Sequence, residues 1–211
     1  VCVWPRLARF ARTQLPSQVA VAAVANFPGG LNDIQAALRD TGQIVQAGAQ
    51  EVDLVLPYRA LLAGEALACA DLLGAVRRAC EGLTLKVILE TGELRDPVVI
   101  GQAARLALEA GADFLKTSTG KTPVSATPQA AAAMLSAIAG DARARARVGF
   151  KASGGIRSVA DAAVYVDLVA QVLGEAALVP ARFRIGASTL LEDIEAVLAH
   201  QANPQAPNAA P

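Results

Sequence analysis

The sequence predicts an α/β fold in which a parallel sheet is closed into a (β/α)₈ barrel. Short runs rich in β-branched residues, bounded by glycine, proline and polar residues, recur along the whole chain and predict strands. Between them lie longer segments with apolar residues at helical spacing. The centres of the strand runs are about 20 to 35 residues apart, which is the size of a strand-plus-helix unit. Such strict alternation indicates a parallel sheet.

Two closures of that sheet agree with the alternation, an open doubly wound sheet and a TIM-type barrel. A barrel needs eight strands and typically about 250 residues, whereas this chain has 211 residues and seven recognisable strand runs. The chain also begins inside an apolar run, at Val1, without a methionine. We therefore expect a barrel whose first βα unit is absent from this chain.

The predicted elements follow one another in a regular order. Strands are predicted at 1–3, 19–24, 52–56, 85–89, 114–118, 148–151 and 183–186. Helices are predicted at 33–47, 64–81, 96–110, 127–139, 158–173 and 190–200, with Gly48, Gly111 and Gly140 as C-terminal caps. Ser158 and the Thr127-Pro128 pair suit helix N-termini. We expect one domain at 1–200 and a disordered tail rich in proline, alanine, asparagine and glutamine at 201–211.

The composition excludes several classes of function. Nineteen Lys+Arg balance nineteen Asp+Glu, so a nucleic-acid or anionic-membrane binder, which normally carries a basic excess, is not expected. The one histidine, His200, lies beside the tail, which leaves no histidine for a Ser-His-Asp triad or a histidine-based metal site in the domain. We expect neither a metal nor another cofactor.

Three cysteines, Cys2, Cys69 and Cys80, form an odd set without CxxC spacing. A disulfide framework is therefore not expected, and a reducing cytoplasm is the predicted compartment. No stretch reaches the roughly 20 predominantly apolar residues of a membrane span, and no secretory signal is recognisable.

Charged residues inside predicted strands indicate the site of chemistry. Asp53, Lys116 and Lys151 each interrupt an otherwise apolar strand near its C-terminal end. A single such charge is usually an edge or solvent-facing residue, but strands wrapped by helices have no solvent face. Active sites of barrels lie at the C-terminal ends of the strands. Lys86 is placed similarly but nearer the start of its strand, and is either a supporting polar residue or a structural one.

Two lysines and one aspartate in a partly dry pocket suit a metal-free lyase. Like-charge repulsion and desolvation favour one neutral lysine amine at pH 7. A neutral amine attacks a carbonyl and forms a Schiff base, while the second lysine and the carboxylate transfer protons. The residues alone therefore predict an aldolase or a related lyase.

Glycine-rich turns follow the last two predicted strands. One contains Gly154 and Gly155, and the other contains Gly186 and Ser188. If one N-terminal strand is absent, these are the loops after strands 7 and 8, where barrels frequently bind phosphate. Glycines allow backbone N–H groups to approach an anion, and the helix N-terminus behind each loop adds its dipole.

The same segments resemble the deoxyribose-phosphate aldolases, a family of class I aldolases. The most specific blocks are the KTSTGK run at 116–121 and the GFKASGGIR run at 149–157. Further matches are CVWPR at 2–6, EVDLVLPYR at 51–59, KVILETG at 86–92 and RIGAS at 184–188. The resemblance covers nearly the whole chain and implies a (β/α)₈ barrel. Members carry several tens of residues before the CVWPR block, a segment that these 211 residues do not contain.

The resemblance also implies a reaction and roles for individual residues. The family cleaves 2-deoxy-D-ribose 5-phosphate reversibly to D-glyceraldehyde 3-phosphate and acetaldehyde, without a cofactor, as part of deoxyribonucleoside catabolism. Lys116 would be the Schiff-base lysine, and Lys151 and Asp53 the proton-transfer pair. Residues implied in phosphate binding are Gly120, Lys121, Gly154, Gly155, Gly186 and Ser188. Cys2 and Lys86 would lie near the site, and a monomer or homodimer is expected.

Two alternatives to this function remain open at the level of sequence. One is another Schiff-base enzyme, such as a transaldolase-like transferase, although the GFKASGGIR block counts against it. The other is a catalytically impaired barrel that only binds phosphorylated sugars, which the absent first unit would make possible.

Overall fold

The computed structural model describes residues 1–199 and contains a seven-stranded sheet. Its strands are β1 (Cys2–Val3), β2 (Ala22–Ala25), β3 (Glu51–Val55), β4 (Thr84–Ile88), β5 (Phe114–Lys116), β6 (Gly149–Ser153) and β7 (Phe183–Gly186). All seven predicted strands are therefore present, with bounds that differ from the prediction by up to three residues. Strands β2 to β6 are almost entirely buried, as expected for a sheet covered by helices, whereas the outer strands β1 and β7 are partly exposed.

The strands lie in the sheet in the order of the sequence, β1 to β7, and every neighbouring pair is parallel. An open doubly wound sheet would instead reverse direction at a switch point in the strand order. The sheet curls towards a barrel, and the doubly wound alternative is excluded. The eighth strand is not among residues 1–199, and no β1–β7 pairing occurs among them, so the complete barrel stays a prediction.

Ten α-helices occur in the described part of the chain. They are α1 (Pro5–Gln14), α2 (Ile34–Gln46), α3 (Tyr58–Leu62), α4 (Ala66–Ala79), α5 (Thr91–Leu94), α6 (Pro97–Glu109), α7 (Pro128–Gly140), α8 (Ala142–Arg147), α9 (Val159–Leu173) and α10 (Leu190–Leu198), with a 3₁₀ turn at Glu175–Ala177. The predicted caps Thr127 and Ser158 each accept a hydrogen bond from a first-turn backbone N–H. The helices α1, α3, α5 and α8 were not predicted, and three of them have only four to six residues.

The prediction that Gly140 caps a helix was wrong. Helix α7 includes Gly140, and Asp141 follows it as the residue that caps α8 through a hydrogen bond from the Ala144 N–H. A carboxylate at this position satisfies the N-terminus of the next helix, so a left-handed glycine is not needed to stop α7.

Buried apolar residues of the sheet and the surrounding helices form one continuous core. Within residues 1–199 we find no helix that is both long enough and apolar enough to span a membrane. His200 and the predicted tail at 201–211 lie outside the described residues.

Candidate active site

The structure brings Asp53, Lys116 and Lys151 together although they are far apart in sequence. Lys116 Nζ lies 2.8 Å and Lys151 Nζ 3.0 Å from the same oxygen, Oδ2 of Asp53. Lys116 and Lys151 are register partners on the neighbouring strands β5 and β6, so both side chains project to the same side of the sheet. Asp53 is completely buried, and both lysines are more than nine-tenths buried. These three residues form a compact buried ion cluster.

Lys86 belongs to the same cluster. Its ammonium group lies 2.7 Å from Asp53 Oδ1 and also pairs with the Glu51 carboxylate. It is fully buried and is a register partner of Asp53 on the adjacent strand. Of the two interpretations open from the sequence, the structure favours the supporting polar residue, since both oxygens of Asp53 are now occupied by ammonium groups.

Sequence reasoning missed two further members of the cluster, Glu51 and Arg184. Arg184 Nη1 of β7 donates to both oxygens of Glu51 on β3, at 2.8 Å each. Its guanidinium group also lies 4.7 Å from the centre of the Phe114 ring. Glu51 was recognisable in principle, because it stands two residues before Asp53 and therefore faces the same side of the strand. The link to Arg184 depends on the curl of the sheet.

The charges in this cluster act on one another through short distances. Burial raises the pKa of Asp53, but Lys116, Lys151 and Lys86 outweigh it and hold that pKa well below its usual range. Burial likewise lowers the pKa of Lys151, yet the Asp53 carboxylate outweighs this and raises it overall. The expectation that the ammonium groups would depress each other's pKa is therefore wrong for Lys151, because a carboxylate lies between the ammonium groups.

Cys2 lies where the sequence placed it, at the edge of the cluster. Its Sγ is 3.5 Å from Asp53 Oδ2, and it lines the same cavity as Lys116 and Lys151. Cys69 and Cys80 are buried in the core, away from this cavity.

A cavity of about 1280 Å³ runs from the starts of β2 and β3, at Ala22 and Glu51, past the cluster to the loops at the C-terminal ends of the strands. Besides Lys116 and Lys151, every predicted phosphate-binding residue lines it: Gly120, Lys121, Gly154, Gly155, Gly186 and Ser188. The cavity therefore joins the buried amines at its floor to glycine-rich loops at its rim.

The two loops that follow β5 and β6 touch at the rim. Gly154 has a φ of +86°, and a Cβ there would lie 2.6 Å from Ser125 and 3.2 Å from the Gly120 Cα. Only glycine allows this approach. Helix α9 begins directly behind the second loop, so its N-terminal dipole favours an anion in the cavity.

The ion cluster predicts a particular dependence of stability on pH. The pKa values of Asp53 and Glu51 are lowered in the folded protein. The contribution of these two carboxylates to the unfolding free energy is therefore fully present above their unfolded pKa values, about 3.9 and 4.3, and is lost as pH falls through their folded pKa values. The pKa of Lys151 is raised, so the contribution of its ammonium group to the unfolding free energy is present at neutral pH and is lost only as pH rises above about 10.4. We expect the difference in unfolding free energy between wild type and Asp53→Asn to be constant at neutral pH and to shrink below about pH 4. Urea titrations across this range measure it, and a constant difference down to pH 2.5 would contradict it.

A curled parallel α/β sheet with buried lysine amines below glycine-rich loops is an arrangement typical of aldolases. Residues 1–196 match the sequence profile of the DeoC/LacD family aldolases. The chain belongs to this family.

Individual relatives agree with that membership. The chain is 44% identical, over 202 residues, to a deoxyribose-phosphate aldolase of Agrobacterium fabrum, covering 94% of this chain and 77% of the relative. A solved structure from Toxoplasma gondii ME49, assigned as a deoxyribose-phosphate aldolase, superposes with a TM-score of 0.86 at 27% identity and covers 95% of this chain and 82% of its own. The tetrameric deoxyribose phosphate aldolase of Aeropyrum pernix gives a TM-score of 0.73 at 25% identity, with 94% and 77% covered.

Proposed function

We propose that this aldolase cleaves 2-deoxy-D-ribose 5-phosphate to D-glyceraldehyde 3-phosphate and acetaldehyde. The observation that carries the proposal is the pair of buried lysines, Lys116 and Lys151, that share one oxygen of Asp53 at the floor of the cavity. The 44% identity to a protein of that name supports the same substrate.

The first step assigned to the cluster is formation of the Schiff base by Lys116. Its Nζ in the neutral form attacks the C1 aldehyde of the open-chain sugar, and the resulting carbinolamine takes up a proton and loses water to give an iminium ion. Three lysine ammonium groups and Arg184 share only two carboxylates, Asp53 and Glu51. The cluster therefore holds an excess of positive charge, and release of one lysine proton relieves that repulsion.

The second step breaks the bond between C2 and C3. The C3 hydroxyl gives up its proton and becomes the aldehyde of glyceraldehyde 3-phosphate, while the electron pair of the C2–C3 bond moves into the iminium and forms an enamine on Lys116. Protonation of the enamine at C2 and hydrolysis then release acetaldehyde and regenerate the amine. Lys151 and Asp53 are assigned these proton transfers, because Asp53 contacts both Lys116 and Lys151 and Lys151 also lines the cavity.

The phosphate end of the substrate is assigned to the rim. Gly154, Gly155, Gly186 and Ser188 line the side formed by the loops after β6 and β7, and Gly120 and Lys121 line the side formed by the loop after β5. Backbone N–H groups, a helix N-terminus and one lysine suit a dianion at this position. A phosphate held at the rim fixes the other end of the sugar over Lys116 at the floor.

Removing the phosphate from the substrate tests this assignment. Binding energy from a remote phosphate holds the reacting carbons in place, so kcat/KM for 2-deoxyribose is expected to fall far below the value for its 5-phosphate. Ser188→Asp places a carboxylate beside the anion and is expected to reduce kcat/KM for the phosphorylated substrate by roughly 5- to 100-fold. Gly155→Val, at a φ of +81° facing open space, is expected to act similarly by blocking backbone approach. Both substrates are assayed with each variant.

Matched controls are available in the same chain. Gly174 also has a positive φ with open space around it but does not line the cavity, so Gly174→Val controls for backbone strain. Ser136 is exposed on α7, and Ser136→Asp controls for the added charge. Equal losses on both substrates in Ser188→Asp and Gly155→Val would remove the phosphate site from these loops. Absence of any cleavage by the wild type would favour the sugar-phosphate-binding barrel.

Three finer expectations belong to the proposal. An eighth strand that pairs with the free edges of β1 and β7 would complete the barrel. We propose a cytoplasmic location from the unpaired cysteines. The monomer or homodimer expected from the sequence stays a prediction, and the relative from Aeropyrum pernix is a tetramer.

A further inference from the structure

Glu90 is a buried carboxylate for which the proposed reaction has no use. It follows β4, is completely buried, and does not line the cavity. Its backbone adopts the left-handed conformation, with φ 55° and ψ 59°. A non-glycine residue rarely adopts this conformation and keeps it only when its surroundings fix it. The fixed backbone aims the Glu90 side chain at the loop that follows β5.

The hydrogen-bond partners of the Glu90 side chain all come from that loop. The carboxylate accepts from the Thr119 N–H, at 3.3 Å to each oxygen, and from the Thr119 hydroxyl. The Thr122 hydroxyl lies 3.2 Å from Oε1 but is nearer to the Val124 carbonyl, at 2.9 Å. Within residues 1–199 no salt bridge reaches Glu90. The loop's own donors therefore satisfy this buried charge.

The carboxylate also fixes the direction of the Thr119 hydroxyl. An ionised carboxylate only accepts hydrogen bonds, so the hydroxyl must donate to it. The Thr119 oxygen is then left with lone pairs, and one of them accepts from the Lys121 N–H at 3.1 Å. Glu90, Thr119 and Lys121 thus form a directed relay that ends beside Gly120, at the rim of the cavity.

Neighbouring contacts attach the same loop on both sides. The Thr91 N–H donates to the Thr117 carbonyl at 3.1 Å, and a Cβ on Gly92 would overlap the Val124 carbonyl. On the far side the Ala126 N–H donates to the Gly154 carbonyl at 3.3 Å. The loop after β5 is therefore held between Glu90–Gly92 and the loop after β6.

We infer that Glu90 is a positioning residue for the phosphate rim. Through Thr119 it holds the loop 117–125 in the conformation that sets Gly120 and Lys121 against the cavity. It touches neither substrate nor the reacting lysines, so its effect is on recognition of the phosphorylated end. This inference rests on the proposed phosphate site.

Glu90→Gln is the direct test, because it keeps the size of the side chain and removes one acceptor. The new amide NH₂ faces donors of Thr119, which leaves a buried donor without a partner. We expect kcat/KM for 2-deoxyribose 5-phosphate to fall by about 10- to 100-fold, mostly through KM. Activity on 2-deoxyribose is expected to change by less than about threefold, and the inhibition constant of inorganic phosphate is expected to rise.

A double-mutant cycle with Thr119→Val tests whether Glu90 acts through the hydroxyl relay. Thr119→Val removes the hydroxyl and keeps the shape, so Glu90→Gln is expected to have a clearly smaller effect in that background than in the wild type. Thr119→Ser restores the hydroxyl and is expected to behave nearly as the wild type. If Glu90→Gln does not fold, Thr119→Val and Thr119→Ser are compared instead, by their activities on 2-deoxyribose 5-phosphate and on 2-deoxyribose.

Glu93→Gln is the matched control, since Glu93 lies on the same short helix α5 and forms no salt bridge within residues 1–199. It is expected to leave both substrates unaffected. A wild type without preference for the phosphorylated sugar would refute the phosphate site itself. If the wild type shows that preference, two results would overturn the role of Glu90 alone. One is a Glu90→Gln variant that loses activity equally on both substrates. The other is an effect of Glu90→Gln that simply adds to the effect of Thr119→Val.

Discussion

Acetaldehyde followed by borohydride is expected to leave one N-ethyl group on Lys116 and to inactivate the enzyme. The amine lies at the floor of the cavity, where an aldehyde reaches it, and reduction of the imine makes the bond permanent. The chain has only four lysines, Lys86, Lys116, Lys121 and Lys151. Peptide mapping by mass spectrometry therefore assigns the adduct without ambiguity.

Exposed Lys121 reports non-specific alkylation in the same sample. At limiting acetaldehyde we expect modification of Lys116 first. Lys116→Arg keeps the positive charge but forms no imine, and is expected to lower kcat by about 10⁴-fold or more. An adduct found on Lys151 instead, or a Lys116→Arg variant with substantial activity, would contradict the assignment of Lys116 as the nucleophile.

Loss of either partner of Lys116 is expected to have the second-largest effect. Lys151→Leu removes an ammonium group 3.0 Å from Asp53 Oδ2, and Asp53→Asn removes the carboxylate that both lysines contact. Since general acid–base groups typically contribute 10²- to 10⁴-fold, each variant is expected to lose at least about 10²-fold in kcat. The pH–rate profile of each variant is the measurement.

Stability has to be measured beside activity for these two variants. Asp53→Asn leaves three buried ammonium groups with one carboxylate fewer, and removing one partner of a buried ion pair typically costs about 3–5 kcal/mol. Denaturation curves show whether the variant remains folded under assay conditions. Arg143→Leu, on the exposed side of α8, controls for the loss of a positive charge. Near-normal turnover of a folded Lys151→Leu or Asp53→Asn protein would make that residue a structural charge.

Sequence patterns were sufficient for the order of the elements and for the core of the candidate site. Seven apolar runs predicted the seven strands, because a strand buried on both faces must be apolar along its whole length. The same rule singled out Asp53, Lys116 and Lys151, since a charge in such a strand requires partners. All three lie in one cluster.

Patterns local to one segment did not predict the contacts of Arg184 and Glu90 or the direction in which the pKa of Lys151 is shifted. Arg184 meets Glu51 across 133 positions of sequence, through the curl of the sheet. Glu90 reads as an ordinary helix-start carboxylate, and its attachment to Thr119 depends on a left-handed backbone. The pKa of Lys151 depends on whether a carboxylate or an ammonium group is nearer.

The sequence by itself therefore determined that Asp53, Lys116 and Lys151 are buried charges, and the tertiary structure decided which charges meet. Burial follows from periodicity within one strand or helix, a property of a few consecutive residues. Electrostatic interactions depend on distances of a few ångströms between side chains on different strands. Those distances are set by strand order, register and curl, and so the direction of the Lys151 pKa followed only from the position of Asp53 between the two lysines.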